Sequence, residues 1–282
     1  MQKSFGSGAN NYCESVEDMI DFTRKSQYTY EDFVEVVRLL RSPEGCPWDR
    51  VQTHQSIRRN FLEEVYECCE AIDTDDQALM QEELGDVMMQ VIFHAGIEED
   101  RGRFDLDDVC DGAVKKLVFR HPNVFGPKTE QTWDDMKALE KGQKTYTATL
   151  DAVARSLPSL WRADKLVKKA EKAGFAWPDQ ESRLRKVREE LSELEQAVEE
   201  RSNVEEELGD LLFAAVCVAA KAEIDPEMAL HSACEKFIRR FSAMEQAANA
   251  QNRSLDEYTP AEQLSLWQDA KHKEIDLGKT DY

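Results

Sequence analysis

The chain has 282 residues, room for about two domains, with 41% hydrophobic and 33% charged residues and a formal net charge of -21. That charge argues against a nucleic-acid or anionic-membrane surface, and it demands local compensation wherever anions cluster. No run approaches the ~20 apolar residues of a membrane span, no basic-then-apolar start marks a signal peptide, and seven cysteines without a C-x-x-C pair fit reduced thiols in a cytoplasm.

Residues 1–27 are polar and read as a flexible extension. A first helix is predicted over Tyr30–Arg41, followed by a Gly45-Cys46-Pro47-Trp48-Asp49 loop. Helices follow over residues 57–72, Gln81–Glu98 and Phe104–Phe119, the last closed by Arg120-His121-Pro122. A helix over Trp133–Gly142 completes a first domain at 28–143, and residues 144–155, opening on Thr-rich sequence, are the expected linker. In a second domain at 156–277, a helix over Leu160–Ala173 ends at Gly174. Leu184, Val187, Leu191, Leu194 and Val198 then follow a helical apolar stripe, with Glu190 at its margin and Glu193 further round. Helices over Val204–Ala222, from Asp225-Pro226-Glu227 to Ala248, and over Leu264–Glu274 follow, with 278–282 as a tail. No run alternates like a strand, so the fold class is all-α.

A four-carboxylate pattern occurs twice, about 125 residues apart. The first copy is Glu63-Glu64-Val65-Tyr66-Glu67 followed by Glu82-Glu83-Leu84-Gly85-Asp86. The second is Glu189-Glu190-Leu191-Ser192-Glu193 followed by Glu206-Glu207-Leu208-Gly209-Asp210. Residues three apart on a helix share one side, so Glu190 pairs with Glu193 and Glu207 with Asp210. If the two helices pack antiparallel, the four carboxylates converge, and oxygen-only ligands select hard ions, Mg²⁺ or Mn²⁺. Glu64, Glu67, Glu83 and Asp86 form the matching candidate set in the first half. Glutamates at helical spacing are usually only a solvated face. Here the pattern recurs, and Asp86 and Asp210 each open a long uncharged stretch, where burying an acid is costly unless it is paired or on a metal. Gly85 and Gly209, each costing roughly 1 kcal/mol against Ala inside a helix, predict a close approach of another group. Beyond the acids, Lys116, Leu117 and Arg120 match Lys236, Phe237 and Arg240 at an offset of 120, so the halves read as duplicated helical domains.

Carboxylate-held Mg²⁺ beside Lys and Arg suits phosphoryl or nucleotidyl chemistry. The candidate cations of the second half are Lys186, Arg188, Lys236, Arg239 and Arg240. The halves are not equal, because Asn60 stands at the position of Lys186 and Phe119 at that of Arg239. Trp267 could stack on a base or simply pack. No phosphate-binding glycine loop, zinc-spaced Cys/His set or Ser-His-Asp arrangement can be argued.

With these residues in view, the chain resembles the MazG-type nucleoside triphosphate pyrophosphohydrolases in their two-domain bacterial form. The resemblance rests on Gly45-Cys46-Pro47-Trp48-Asp49, Leu62-Glu63-Glu64-Val65-Tyr66-Glu67, Glu83-Leu84-Gly85-Asp86 and Arg120-His121-Pro122-Asn123-Val124-Phe125. Ser156-Leu157-Pro158-Ser159-Leu160, Gly174-Phe175-Ala176-Trp177, the second acidic pair and Lys236-Phe237-Ile238-Arg239-Arg240-Phe241 extend it over roughly residues 30–277. It implies four-helix-bundle-like units formed through dimerisation, and hydrolysis of a nucleoside triphosphate to monophosphate and pyrophosphate, mainly by the second domain. Carried over, Glu190, Glu193, Glu207 and Asp210 are the metal ligands. Nucleotide contacts fall to Lys186, Arg188, Glu189, Glu206, Lys236, Arg239, Arg240 and Trp267, and Glu189, Glu190 and Glu207 carry catalysis. The expected partners are the triphosphate and a second copy of the chain, with no nucleic acid and no membrane. Two alternatives stay open: a relative acting on one specialised nucleotide or alarmone, and a non-catalytic metal-binding helical module.

Overall fold

The computed structural model describes residues 22–142 and 145–277. The expected N-terminal extension therefore lies, up to residue 21, outside the described residues, as does the 278–282 tail. All regular structure among the described residues is helical, and the chain forms two compact units that divide between Trp133 and Asp134. The first holds α1 (Tyr30–Arg41), α2 (Pro47–Arg50), α3 (Arg58–Asp73), α4 (Gln77–Asp100), α5 (Leu106–Arg120) and α6 (Pro122–Phe125). Helix α7 (Trp133–Glu140) begins at the division. The second unit continues with α8 (Tyr146–Asp151), α9 (Ser159–Lys172), α10 (Gln180–Glu200), α11 (Val204–Lys221), α12 (Pro226–Asn249) and α13 (Pro260–Leu277). The expected linker thus carries α8, capped by the Thr145 side chain and packed on α9. No helix among the described residues is long and apolar enough to cross a membrane.

The helices start where their caps are. The Thr29 and Asp105 side chains close capping boxes with Asp32 and Asp108. Asp76, Asp179 and Asp225 accept backbone N–H bonds at the starts of α4, α10 and α12, the last with Pro226 as its first residue. Each unit is built on one hairpin, α3 with α4 and α10 with α11, and the three-residue links make the paired helices antiparallel. Both links reverse the chain through left-handed residues, Asp75 at φ 52° in the first and Arg201 at 54° with Asn203 at 51° in the second.

On α10 the buried residues are Arg183, Glu190 and Ala197, one every seven positions. The matching row in the first unit is Ile57, Glu64 and Ala71, with Ile57 and Ala71 buried and Glu64 half-buried. The apolar stripe of α10 runs beside this inward row, with Glu190 at its margin. Val187 and Leu194 are half-buried, and Leu184, Leu191 and Val198 are exposed, Leu191 by 45%. At about 100° per residue the stripe lies about 80° round the helix from the row that contacts α11. The first unit's own core is Val34, Val37, Ile57, Ile92, Phe93, Ala95, Ile97 and Leu106.

A polar knot ties the segment before α3 to the end of α4. Buried Glu98 accepts from His54 Nε2 at 2.7 Å, Arg101 Nη1 at 2.7 Å and Arg103 Nη1 at 3.1 Å. The hydrogen bond from His54, then those from the two arginines, hold its carboxyl down at about 2. A carboxylate only accepts, so His54 donates from Nε2 to Glu98, and its Nδ1 meets the His94 Nδ1 at 2.7 Å. Burial, then the neighbouring His54, hold the His94 pKa below its ordinary value.

Because the Glu98 pKa is depressed on folding from an ordinary 4.5, its stabilisation is present in full above that value and is lost as pH falls towards about 2. Glu98→Gln should lower the stability of the first unit at pH 7, and the gap to wild type should close as pH falls through that window. Urea unfolding at a series of pH values measures it, and a gap independent of pH would refute the carboxylate's part.

Candidate metal centre

In the second unit Glu190 and Glu193 sit one turn apart on α10, and Glu207 lies in the first turn of α11. The antiparallel hairpin brings one carboxylate oxygen from each of the three within 4.8 Å of one another. Glu190 is only 4% exposed. Its Oε1 meets Lys186 Nζ at 2.5 Å, and its Oε2 is buried with no hydrogen-bond partner. Lys186 also binds Glu189 at 2.7 Å, and these two bonds raise its pKa, so it stays charged. A hydrogen bond with Glu190, burial and the Glu190 charge push the Glu193 carboxyl above its ordinary value, with Glu207 adding to the push. The acids repel more charge than Lys186 offsets. A buried, unpartnered oxygen on a member of an oxygen-only cluster is what a hard divalent ion satisfies, so the residues present fit Mg²⁺ or Mn²⁺.

The first unit repeats the arrangement with a different membership. Its converging acids are Glu64, Glu83 and Asp86, again within 4.8 Å. Glu83 is 7% exposed with Oε2 buried and unpartnered. Burial raises the pKa of both Glu64 and Glu83, with Asp86 the largest charge acting on Glu64 and Glu67 the largest on Glu83. The Glu67 charge adds to the push on both, but Glu67 lies outside the converging three. In the second unit the geometry unites three of the four. Asp210, three residues beyond Glu207, is exposed and lies outside the converging set.

The other expected residues fall into two groups. Glu189 and Lys186 border the acids, and Glu206 is exposed in the same turn as Glu207. Arg188 turns back along α10 to pair with Glu181 at 3.1 Å. On α12, Lys236 and Arg239 are exposed. Arg240 lies over the Trp267 ring with its Cζ 5.8 Å from the centroid, and Phe237 packs on the same ring at 5.1 Å. Trp267 therefore packs and is at the same time half-open, with a guanidinium on one face. The helical glycines Gly85 and Gly209 do not mark a close approach, for nothing lies within 4 Å of where a Cβ would stand. They lie just before Asp86 and Asp210, beside the acids rather than under a neighbouring element.

Sequence reading missed Arg183, buried on the same row as Glu190. The signal was its place seven residues before Glu190, yet an arginine at the start of a charged helix is indistinguishable from surface until its partners are known.

A family model, the MazG nucleotide pyrophosphohydrolase domain, matches residues 52–125 and 179–244. These spans contain both acidic hairpins. The nucleoside triphosphate pyrophosphohydrolase/pyrophosphatase MazG of Thermotoga maritima is 42% identical over 246 residues, covering 86% of this chain and 95% of that protein. The nucleoside triphosphate pyrophosphohydrolase of Escherichia coli (strain K12) is 39% identical over 254 residues, covering 86% of this chain and 97% of its own length. One domain match in each half, together with relatives aligned along almost their whole length, makes this chain a member of the MazG nucleotide pyrophosphohydrolase family.

Proposed function

We propose that the chain hydrolyses nucleoside triphosphates, ribo or deoxyribo, to the monophosphate and pyrophosphate, with Mg²⁺ held at the acids of the α10–α11 hairpin. The observation that carries this is the buried, unpartnered Oε2 of Glu190 inside a three-carboxylate cluster with Lys186 at its edge. Glu190, Glu193 and Glu207 would hold the ion, and Asp210 joins them if its side chain turns inward. A divalent ion there neutralises phosphate charge and lowers the pKa of water. Glu189 is the proposed base: it takes the proton as water oxygen bonds to the α-phosphorus and the bond to the bridging oxygen of the β-phosphate breaks, releasing pyrophosphate. Lys186, Arg188, Lys236, Arg239 and Arg240 contact the phosphates, Glu206 contributes from the start of α11, and Trp267 offers its ring to the base. The partial exposure of Trp267 supports that last role, and stacking of this kind contributes roughly 1–3 kcal/mol per base.

We further infer a homodimer, acting in the cytoplasm. Leu191, Val198, Leu208, Leu212, Ile238 and Phe241 are all exposed on α10, α11 and α12, Ile238 by 58%. So much apolar surface on three helices of one unit is characteristic of an association face. Sedimentation at micromolar concentration should give twice the monomer mass, and Leu191→Glu should shift it towards monomer. A monomeric wild type would remove the inference.

Two outcomes test the chemistry. Products from ATP or a dNTP should be monophosphate and pyrophosphate in equal amounts, only with Mg²⁺ present. Diphosphate and orthophosphate would identify an ordinary phosphatase of triphosphates. Across a nucleotide panel, turnover of a single modified nucleotide or of an alarmone alone would identify a specialised relative, and no turnover a binding module.

The halves should also differ. A triphosphate carries about four negative charges, which charge-assisted bonds from Lys and Arg must help offset, and the first unit has Asn60 and Phe119 where the second has Lys186 and Arg239. Glu207→Gln should reduce turnover by more than the ~10–100-fold typical of losing an outer-shell partner of a metal, while Glu83→Gln keeps most activity. Equal losses, or a larger loss from Glu83→Gln, would refute this division of labour.

A further inference from the structure

The α10–α11 hairpin is closed at one end by its turn, Arg201–Ser202–Asn203. At the other end it is tied by a buried arginine. Arg183 is 2% exposed, and its Nη1 donates to the Cys217 carbonyl of α11 at 2.7 Å while its Nη2 meets Glu171 of α9 at 2.6 Å. One guanidinium thus joins three helices. The Gln180 side chain adds a longer bond, 3.5 Å, to the next carbonyl, that of Val218. Between the turn and the arginine lie Glu190, Glu193 and Glu207.

The geometry leaves the acids dependent on that tie. Arg183 and Glu190 lie on one inward row, seven residues or about 10 Å apart along the axis. The buried apolar residues of these two helices are small or compact, Ala197, Ala214, Val216 and Cys217. Such surfaces are non-directional and set no sharp rotation of one helix about its own axis. A forked guanidinium bonded to a carbonyl on one helix and a carboxylate on another is directional, and less freedom is lost per bond than with a lysine.

The first unit provides the contrast. Ile57 occupies the position of Arg183, and Phe93, seven residues beyond Asp86 as Cys217 is beyond Asp210, occupies that of Cys217. Both belong to the apolar core of that unit. The equivalent point is held there by apolar packing, so burial alone can close such a hairpin. A charge in its place is costly to bury, and the fold does not require it.

We propose that Arg183 is a positioning residue for the metal centre: by fixing the rotation of α10 against α11 and α9, it holds Glu190 and Glu193 in register with Glu207. The proposal rests on the reading of these acids as a metal site. Arg183 touches neither ion nor nucleotide, and its removal should act on metal affinity before it acts on the fold.

The test uses the full-length chain with Mn²⁺ alone as probe, its affinity read by isothermal titration and by electron paramagnetic resonance without nucleotide. Glu207→Gln is the control, and wild-type Mn²⁺ affinity in that variant would defeat the metal site itself, separately from the role of Arg183. With the control weakened, Arg183→Met should lower the affinity by ~10–100-fold, the range typical of residues that orient ligands, at a temperature where circular dichroism shows it folded. The double variant Arg183→Met, Glu171→Gln also removes the carboxylate left behind and should show the same loss with a recovered melting temperature. Unchanged Mn²⁺ affinity in a folded variant would overturn the proposal whatever happens to the melting temperature. A double variant that cannot fold would overturn it too, since the arginine would then serve the fold rather than the register.

Discussion

Mutual repulsion of like charges in a half-buried site is the constraint on which the second unit is organised. Three carboxylate oxygens within 4.8 Å of one another, one residue of the three almost wholly enclosed, do not assemble spontaneously. The remainder of the hairpin supplies what makes the cluster tolerable. Lys186 reaches Glu190 from one turn before it. Glu207 stands in the first turn of α11, where the unsatisfied N–H groups and the helix dipole favour negative charge. A raised Glu193 pKa and an unpartnered Glu190 oxygen record the imbalance that remains, and that residue of unsatisfied charge is what a cation answers.

The same plan was written twice and then put to different uses. Both hairpins turn through left-handed residues after three-residue links, and both carry a row of which the middle member is a glutamate. The first unit closes its row with Ile57 against an apolar core and adds the His54, His94 and Glu98 knot on the side where the second has Gln180 and Val218. The second gives up that apolar closure for Arg183 and gains Lys186 beside its acids. Three acids converge in each unit, and the difference between them lies in the cations, with Asn60 and Phe119 in the first where the second has Lys186 and Arg239.

Exposed apolar side chains on α10, α11 and α12 bear on the same question. A hairpin buries one side of each helix, and the stripe Leu184, Val187, Leu191, Leu194 and Val198 lies to the side of that contact. The chain carries more apolar helix surface than one copy of the unit covers.

The sequence by itself determined the all-α class, the duplication, the two acidic pairs and the family. Each is encoded locally, in helix starts such as Asp225-Pro226-Glu227, in three-residue spacing on a helix and in stretches such as Gly45-Cys46-Pro47-Trp48-Asp49. Tertiary structure alone decided which acids meet. Asp86 joins its cluster whereas its counterpart Asp210 lies outside the converging set, because convergence depends on the rotation of two helices about their own axes, which spacing along one helix does not specify. It also decided that the inward row of α10 is Arg183, Glu190 and Ala197, that Arg188 pairs back along its own helix with Glu181, and that no neighbour crowds Gly85 or Gly209. In each case the identity of the residue was legible and its partner was not, since the partner lies on another turn or another helix and is chosen by packing.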